Sequence, residues 1–334
     1  MHHANVPVSV TTIAAGKLRR YHGETWLQRL GDVRTILFNL RDIGYIVMGF
    51  MQSVWLLLRN RPDIVFAKGG YVCLPLGIAA VLLRIPIVIH DSDTRPGLTN
   101  RVLARFARSI GTGSPVENYN YDPHKTRYVG VPVKDVFHPF SAHDIRRARD
   151  AIGVIDVTAP LVVVTGGGLG AKSINEAMVH CGNAVVASGA QVYHVTGKAH
   201  YESVAARVPD HPHYQAVPFV FENMHDVLGA ADVVVSRASA TFLQELAGLA
   251  KPAIVIPAAH LGDQVKNAAV YRGVDAAVVL TDQMIAEGDE LGRAIISLIH
   301  DTQRQKELSH NLHQFAKPHA SRDVAMMIMK VYKE

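Results

Sequence analysis

Two rhythms of apolar and polar positions alternate along this chain. Short runs rich in β-branched residues, several of them continuously apolar, recur at 63–67, 86–90, 127–130, 161–165, 191–195, 233–236 and 253–257, with longer stretches of helical periodicity between them. Continuous apolar runs are what parallel strands need when both faces are covered. The alternation predicts α/β units with a parallel sheet in each half of the chain. A further strand is expected near residues 6–14. Between residues 139 and 160 the rhythm breaks into a polar segment with one charged helix, which Ser141 is placed to cap, so a domain boundary is read there. At 334 residues the chain exceeds what one hydrophobic core usually serves. The expected division is 1–140, 141–300 and a helical tail, 301–334, packing back toward the first domain.

One stretch stands apart. Residues 44–58, GYIVMGFMQSVWLLL, lie between Arg41 and Arg59 and carry Gln52 and Ser53 as their only strongly polar side chains. They fall short of the roughly 20 residues that a membrane-spanning helix needs. The helix is either buried or lies along a membrane surface. The start, MHHANVPVSV, lacks the charged-then-apolar pattern of a signal peptide.

Composition narrows the classes. With 49% hydrophobic and 19% charged residues the chain is too apolar for disorder and too unbiased for a fibre or a coiled coil. Its two cysteines, Cys73 and Cys181, give neither a disulfide framework nor a metal spacing, which suits a reducing compartment. Residues 1–140 hold 17 Lys and Arg against 9 Asp and Glu, whereas the remainder is net acidic. A negatively charged partner is therefore expected for the first half, either an anionic membrane surface or a phosphorylated substrate. Nucleic acid is not expected, because no basic stripe interleaves with stacking aromatics.

Three clusters carry the candidate chemistry. In VVVTGGGLGAKSINEA an apolar strand runs into Gly166, Gly167, Gly168, Leu169 and Gly170 before a helix begins. Such a turn lets the backbone approach a diphosphate, whose charge meets free amides at the helix start. The glycine spacing fits neither the dinucleotide fingerprint nor the P-loop. In SRASATFLQELAGLAKPAIVIP a strand leads to Arg237 and Ser239, then to a helix with Glu245 among apolar neighbours. Ligands bind beyond the carboxyl ends of parallel strands, so Ser239 and Glu245 are expected in the crevice of the glycine turn, with the carboxylate accepting from ribose hydroxyls. In PAAHLGDQVKNA, Gln264 and Asn267 sit three apart on one helix face and are expected to reach one sugar.

These clusters, in this order and with His194, Thr196, Gly197 and Lys198 between them, resemble the donor domain of the MurG-type glycosyltransferases, family 28 of the GT-B fold. The first half is similar too. Lys68-Gly69-Gly70-Tyr71-Val72, then His90-Asp91, Pro96-Gly97-Leu98-Thr99-Asn100-Arg101 and Gly130-x-Pro132-Val133 follow the family's GGYVSGP, HEQNxxPGLTN and GNPVR segments. The resemblance implies two Rossmann-like, doubly wound parallel-sheet domains facing a cleft, the first shortened at its start. It implies transfer of N-acetylglucosamine from UDP-GlcNAc to an undecaprenyl-diphosphate-linked muramyl-peptide, lipid I, giving lipid II. It implies no cofactor, no metal, and a peripheral place on the cytoplasmic face of the cell membrane. Gly167, Gly168 and Leu169 would approach the diphosphate, Glu245 the ribose, and Gln264 and Asn267 the sugar, with Ser239 and Lys134 also on the donor. Gly69, Gly70, Tyr71, Asp91, Ser92 and Asp93 would face the acceptor.

The departures are specific. The family's GGSQGA is GGGLGA here, which removes two side-chain contacts. Its Glu, Gln and Asn in the acceptor turn become Asp91, Ser92 and Asp93, and its GNPVR arginine becomes Lys134, which loses the bidentate fork. The family's first glycine loop, whose His lies near the reacting sugar, has no counterpart in the sequence. The base expected on the acceptor hydroxyl is then His90, ahead of Asp91 and Asp93. Two rivals share the architecture: a UDP-GlcNAc epimerase, and a UDP-sugar-binding subunit that depends on a partner.

Overall fold

The computed structural model describes residues 8–16, 33–168 and 170–334. Its first part runs through α1 (Val33–Asn60), β1 (Val65–Ala67), α2 (Cys73–Leu82), β2 (Ile87–Asp91), α3 (Leu98–Leu103), β3 (Ser109–Thr112) and β4 (Thr126–Tyr128). Helix α4 (Ala142–Ala151) crosses to the second part; Ser141 caps it as expected, and Asp144 completes a capping box. There β5 (Leu161–Thr165), α5 (Lys172–Ala187), β6 (Gln191–Val195), α6 (Tyr201–Ala205), β7 (Tyr214–Val217), α7 (Met224–Ala230) and β8 (Val233–Ser236) follow. The domain continues through α8 (Ala240–Leu249), β9 (Ala253–Val255), α9 (Gly262–Gly273), β10 (Val278–Val279), α10 (Asp282–Glu287) and α11 (Glu290–His300), and the tail is α12 (Thr302–His313) and α13 (Ala320–Lys333).

Both expected parallel sheets form. The second has the order β10-β9-β8-β5-β6-β7, so its winding reverses between β5 and β8 and a crevice opens beyond their carboxyl ends. Val162, Val164, Val233 and Val235 fill one face of this sheet, and Val163, Val234 and Val255 fill the other. Two covered faces explain why these runs are apolar at every position.

The first sheet differs from a doubly wound one: among the described residues its four strands lie in chain order, β1-β2-β3-β4, without a reversal. The strand expected near residues 6–14 is not formed over residues 8–14; residues 6 and 7 lie outside those described. This segment crosses α1 instead. The Ala14 amide donates to Gln52 Oε1 at 2.7 Å, and a Cβ on Gly49 would lie 1.9 Å from the Ala14 carbonyl oxygen, so only glycine admits the crossing.

Helix α1 divides residues 44–58 between a packed face and an exposed one. Phe50, Val54 and Leu57 pack into the first core, whereas Tyr45, Val47, Met48, Met51, Trp55 and Leu58 are exposed. Among the described residues no helix is long and apolar enough to cross a membrane. The tail returns to the first sheet, where Met327 and Val331 of α13 pack on Val88 and Ile64.

A buried polar network locks the turn that follows β5. His194, fully buried, donates from Nε2 to Asn175 Oδ1 at 3.0 Å and accepts at Nδ1 from the Tyr214 hydroxyl at 2.9 Å. Asn175 Nδ2 in turn donates to the Thr196 carbonyl at 2.9 Å. The ring is satisfied only as the neutral tautomer. Burial accordingly pushes the His194 pKa down to about 4 from 6.5. Between these values the unfolded chain binds the proton and the folded one does not, so this stabilisation is present above pH 6.5 and lost as pH falls toward 4. Its full size is about 3 kcal/mol. Urea midpoints measured from pH 7 to pH 4.5 are expected to fall steeply for the wild type and distinctly less for His194→Gln.

Candidate active site

The site grows from the turn between β5 and α5. Gly167 and Gly170 have φ of +82° and +77°, in the left-handed region that disfavours side chains. At Gly170 a Cβ would also lie 2.3 Å from the Thr196 carbonyl oxygen, which the His194 network fixes in place. Gly167 and Gly168 face open space, with only the Phe219 ring 3.9 Å from a Cβ placed on Gly168. Helix α5 starts at this turn, and among the described residues no side chain caps it, so its positive end borders the cavity. Leu169 lies outside the described residues.

The turn borders a cavity of about 1050 Å³ that also takes in Ser239, Gln264, Arg237 and Asp282. Ser239 caps α8, its hydroxyl accepting from the Phe242 amide at 3.4 Å. Gln264 Oε1 accepts from the Ala258 amide at 3.1 Å, which leaves its own NH₂ for a ligand. Arg237 had been read only as part of a motif. Its guanidinium donates to Asp282 Oδ1 at 2.8 Å, to Ser173 Oγ at 2.7 Å and to the Ile256 carbonyl at 3.0 Å. Asp282, which sequence reasoning missed because it merely opens a helix after a short edge strand, also accepts from the Ala259 amide at 3.2 Å. This cluster ties the loops after β8 and β9 to α5. The aromatic wall of Phe219 and Phe221, with ring centroids 4.8 Å apart and Lys198 Nζ 4.2 Å from the second, was likewise unmarked.

Glu245 does not border this cavity. It stands farther along α8, half-buried, facing Lys134, and among the described residues it has no hydrogen-bond partner. Burial pushes its carboxyl up to about 7, against the opposing pull of the Lys134 charge. Asn267 is not free beside Gln264 either. At 2% exposure, its Nδ2 donates to Asp93 Oδ1 at 2.9 Å and to the Ala238 carbonyl at 3.1 Å, while its Oδ1 accepts from the Thr94 amide at 2.9 Å. Asn267 therefore bridges the two domains.

Across that bridge lies a smaller cavity of about 400 Å³, bordered by Gly69, Gly70, Asp91, Ser92 and Asp93. It shares His260 and Leu261 with the larger one. Tyr71 lies outside this lining and is exposed. Burial raises the Asp93 carboxyl above its usual range, while the Asn267 hydrogen bond works in the other direction. Asp91 is buried and accepts from the Tyr121 hydroxyl at 2.5 Å.

His90 requires a correction. It is fully buried, with Nε2 donating to the Gly130 carbonyl at 2.9 Å and Nδ1 turned to Ser92 Oγ at 3.5 Å. Burial lowers its pKa, and the nearby Lys68 charge adds to the effect. The ring is enclosed between β2 and the segment after β4 and does not border the acceptor cavity, so its placement does not support the role of base expected from the sequence.

Comparison with known proteins gives the family. The glycosyltransferase family 28 C-terminal domain matches residues 161–324 and the family 28 N-terminal domain matches residues 7–112. A UDP-N-acetylglucosamine--N-acetylmuramyl-(pentapeptide) pyrophosphoryl-undecaprenol N-acetylglucosamine transferase from Geobacillus thermodenitrificans is 32% identical over 89% of this chain and 78% of its own length. A transferase of the same name from Legionella pneumophila is 31% identical over 95% of this chain and 82% of its own length. The chain belongs to glycosyltransferase family 28. Among solved structures, Acinetobacter baumannii MurG superposes with a TM-score of 0.71 at 25% identity, covering 86% of this chain and 79% of its own.

Family 28 membership gives the glycine turn a reference. The serine of GGSQGA falls at Gly168, whose backbone is not in the left-handed region and whose Cβ position is open. Gly168→Ser is expected to tighten UDP binding about two- to tenfold by adding one hydrogen bond, whereas Gly167→Val, strained at φ +82° and aimed into the cavity, should weaken it severely; calorimetry on both reads the contrast. Hydroxyl donors favour an ionised carboxylate. If they reach Glu245, UDP affinity should rise as pH increases through about 7, and the rise should vanish in Glu245→Gln.

Proposed function

We propose that this chain transfers N-acetylglucosamine from UDP-GlcNAc to a muramyl-peptide carried by undecaprenyl diphosphate, the activity in its relatives' names. The observation that carries the proposal is the junction of the two cavities at His260 and Leu261. There a sugar projecting from the glycine turn meets an acceptor lying on the Gly69-Gly70 loop and the 91–93 turn. In the transfer the acceptor oxygen bonds to the anomeric carbon, the bond from that carbon to the diphosphate oxygen breaks to release UDP, and the hydroxyl proton passes to a carboxylate of the 91–93 turn, where Asp91 and Asp93 border the acceptor cavity. The developing charge on the diphosphate falls at the Gly167-Gly168 turn and the amides of α5, a placement that stabilises the transition state. Gln264 orients the sugar. Glu245, which lies outside the donor cavity beside Lys134, belongs to the donor site only if the ribose extends along α8 past Ser239.

The lipid-linked acceptor requires access to a membrane. The exposed apolar face of α1, with Met51, Trp55 and Leu58, continues onto Ile78 and Leu82 of α2. Arg59 lies over the Trp55 ring at 5.1 Å. An apolar face rimmed by arginines suits peripheral binding at an anionic surface, here the cytoplasmic face.

Labelled N-acetylglucosamine should pass from UDP to lipid I when the purified chain is supplied with both, and consumption of UDP-GlcNAc without acceptor would instead indicate an epimerase. Glu245→Ala should lose about 1–3 kcal/mol of UDP-sugar binding, and unchanged calorimetric affinity would remove Glu245 from the donor site. Co-sedimentation with anionic vesicles should weaken as salt rises and drop sharply for Trp55→Glu; equal binding to neutral vesicles would rule out the electrostatic part.

A further inference from the structure

A third cavity, of about 1050 Å³, lies beside the acceptor turn. It is bordered by Arg95, Arg101, Arg105, Lys125 and Lys266, with Asp122 its one carboxylate. Among the described residues none of the five cations forms an ion pair. Asp122, whose Oδ1 accepts from the His124 amide at 3.0 Å, supplies one negative charge against the five positive ones. Five like charges converging on one concavity repel one another and focus a positive field into it. The arrangement costs stability in the empty protein and is relieved when an anion enters.

Position indicates which anion. This cavity shares Arg95 and Pro96 with the acceptor cavity, which in turn shares His260 and Leu261 with the donor cavity. The three thus form a continuous path, and whatever fills the third must extend from the acceptor. The muramyl group carries two anionic arms. Its diphosphate leaves the anomeric carbon toward the lipid, and its peptide, an amide of the lactyl group, leaves in another direction and ends in a carboxylate. The exposed apolar faces of α1 and α2 serve the lipid arm. A volume as large as a ligand pocket, with charges spread over α3, the 118–125 loop and α9, suits an extended chain with separated carboxylates better than one compact diphosphate.

We propose that this basic cavity holds the carboxylates of the acceptor's peptide arm, an assignment that rests on the acceptor class proposed above. Arg105 and Lys266 bind from opposite domains, so the peptide is gripped only when the cleft is formed around it. The arm positions the muramyl hydroxyl without entering the chemistry.

The test uses the full chain and two readouts. The first is calorimetric binding of soluble muramyl-pentapeptide, free of lipid and diphosphate, compared with the same compound with its carboxylates amidated. The second is the acceptor KM for lipid-linked muramyl diphosphate with and without the peptide. Arg105→Gln/Lys266→Gln is expected to weaken muramyl-pentapeptide binding by about tenfold or more, to leave the amidated compound and UDP unaffected, and to raise KM only for the peptide-bearing acceptor at unchanged kcat. A KM rise of equal size for both acceptors would overturn the proposal in favour of a diphosphate site, and no change for either would reduce the cations to a solvated face. Charge-dependent peptide binding without any transfer would retain this site and reject the transferase reading; transfer indifferent to the variant would do the reverse.

Discussion

One amide side chain holds the cleft. Asn267 starts from the donor domain and makes three hydrogen bonds at the junction, with Asp93 and Thr94 across the gap and Ala238 on its own side. At 2% exposure it is out of reach of solvent while the cleft is closed, so a contact broken only in part leaves polar groups unsatisfied. Gln244 repeats the device: its Oε1 accepts from the Val131 amide at 3.2 Å and its Nε2 donates to the Phe315 carbonyl at 3.0 Å. The two amides lie on α8 and α9, the helices that also present Ser239 and Gln264 to the donor cavity. Domain geometry and donor geometry are therefore set by the same two rigid elements.

The sheets were legible because the sequence states them redundantly. Runs such as Val162–Val164 are apolar at each position since both faces of the second sheet are covered, and seven separate runs point to the same parallel architecture. The glycine turn was legible because left-handed backbone and close approach narrow the choice to one residue. The expectation near residues 6–14 failed for a local reason: Val8 and Val10 are β-branched and strand-forming, but both are exposed, and the segment finds its partners on α1.

Side-chain roles were less legible than folds. His90 and His194 look alike in sequence, each at the end of an apolar strand, and both are enclosed within hydrogen-bond networks. Nothing in the neighbouring residues reports that enclosure, because it depends on Gly130 and Tyr214, which lie 40 and 20 positions away. Spacing of three along α9 correctly set Gln264 and Asn267 on adjoining surface, yet one turns to the donor cavity and the other to the opposite domain. Asp282 carried no signal at all, since its importance comes from Arg237, 45 residues earlier.

The Asn267 bridge bears on how donor affinity should be understood. Were a donor sugar to recruit this amide, it would have to take it from Asp93 and Thr94, and donor binding would then compete with the cleft's own closure. In that case the apparent dissociation constant would be the intrinsic one divided by the fraction of molecules whose bridge is open. Any substitution that loosens the junction, even one far from the nucleotide such as at Gln244, would raise that fraction and register as tighter donor binding without a single new contact to the ligand.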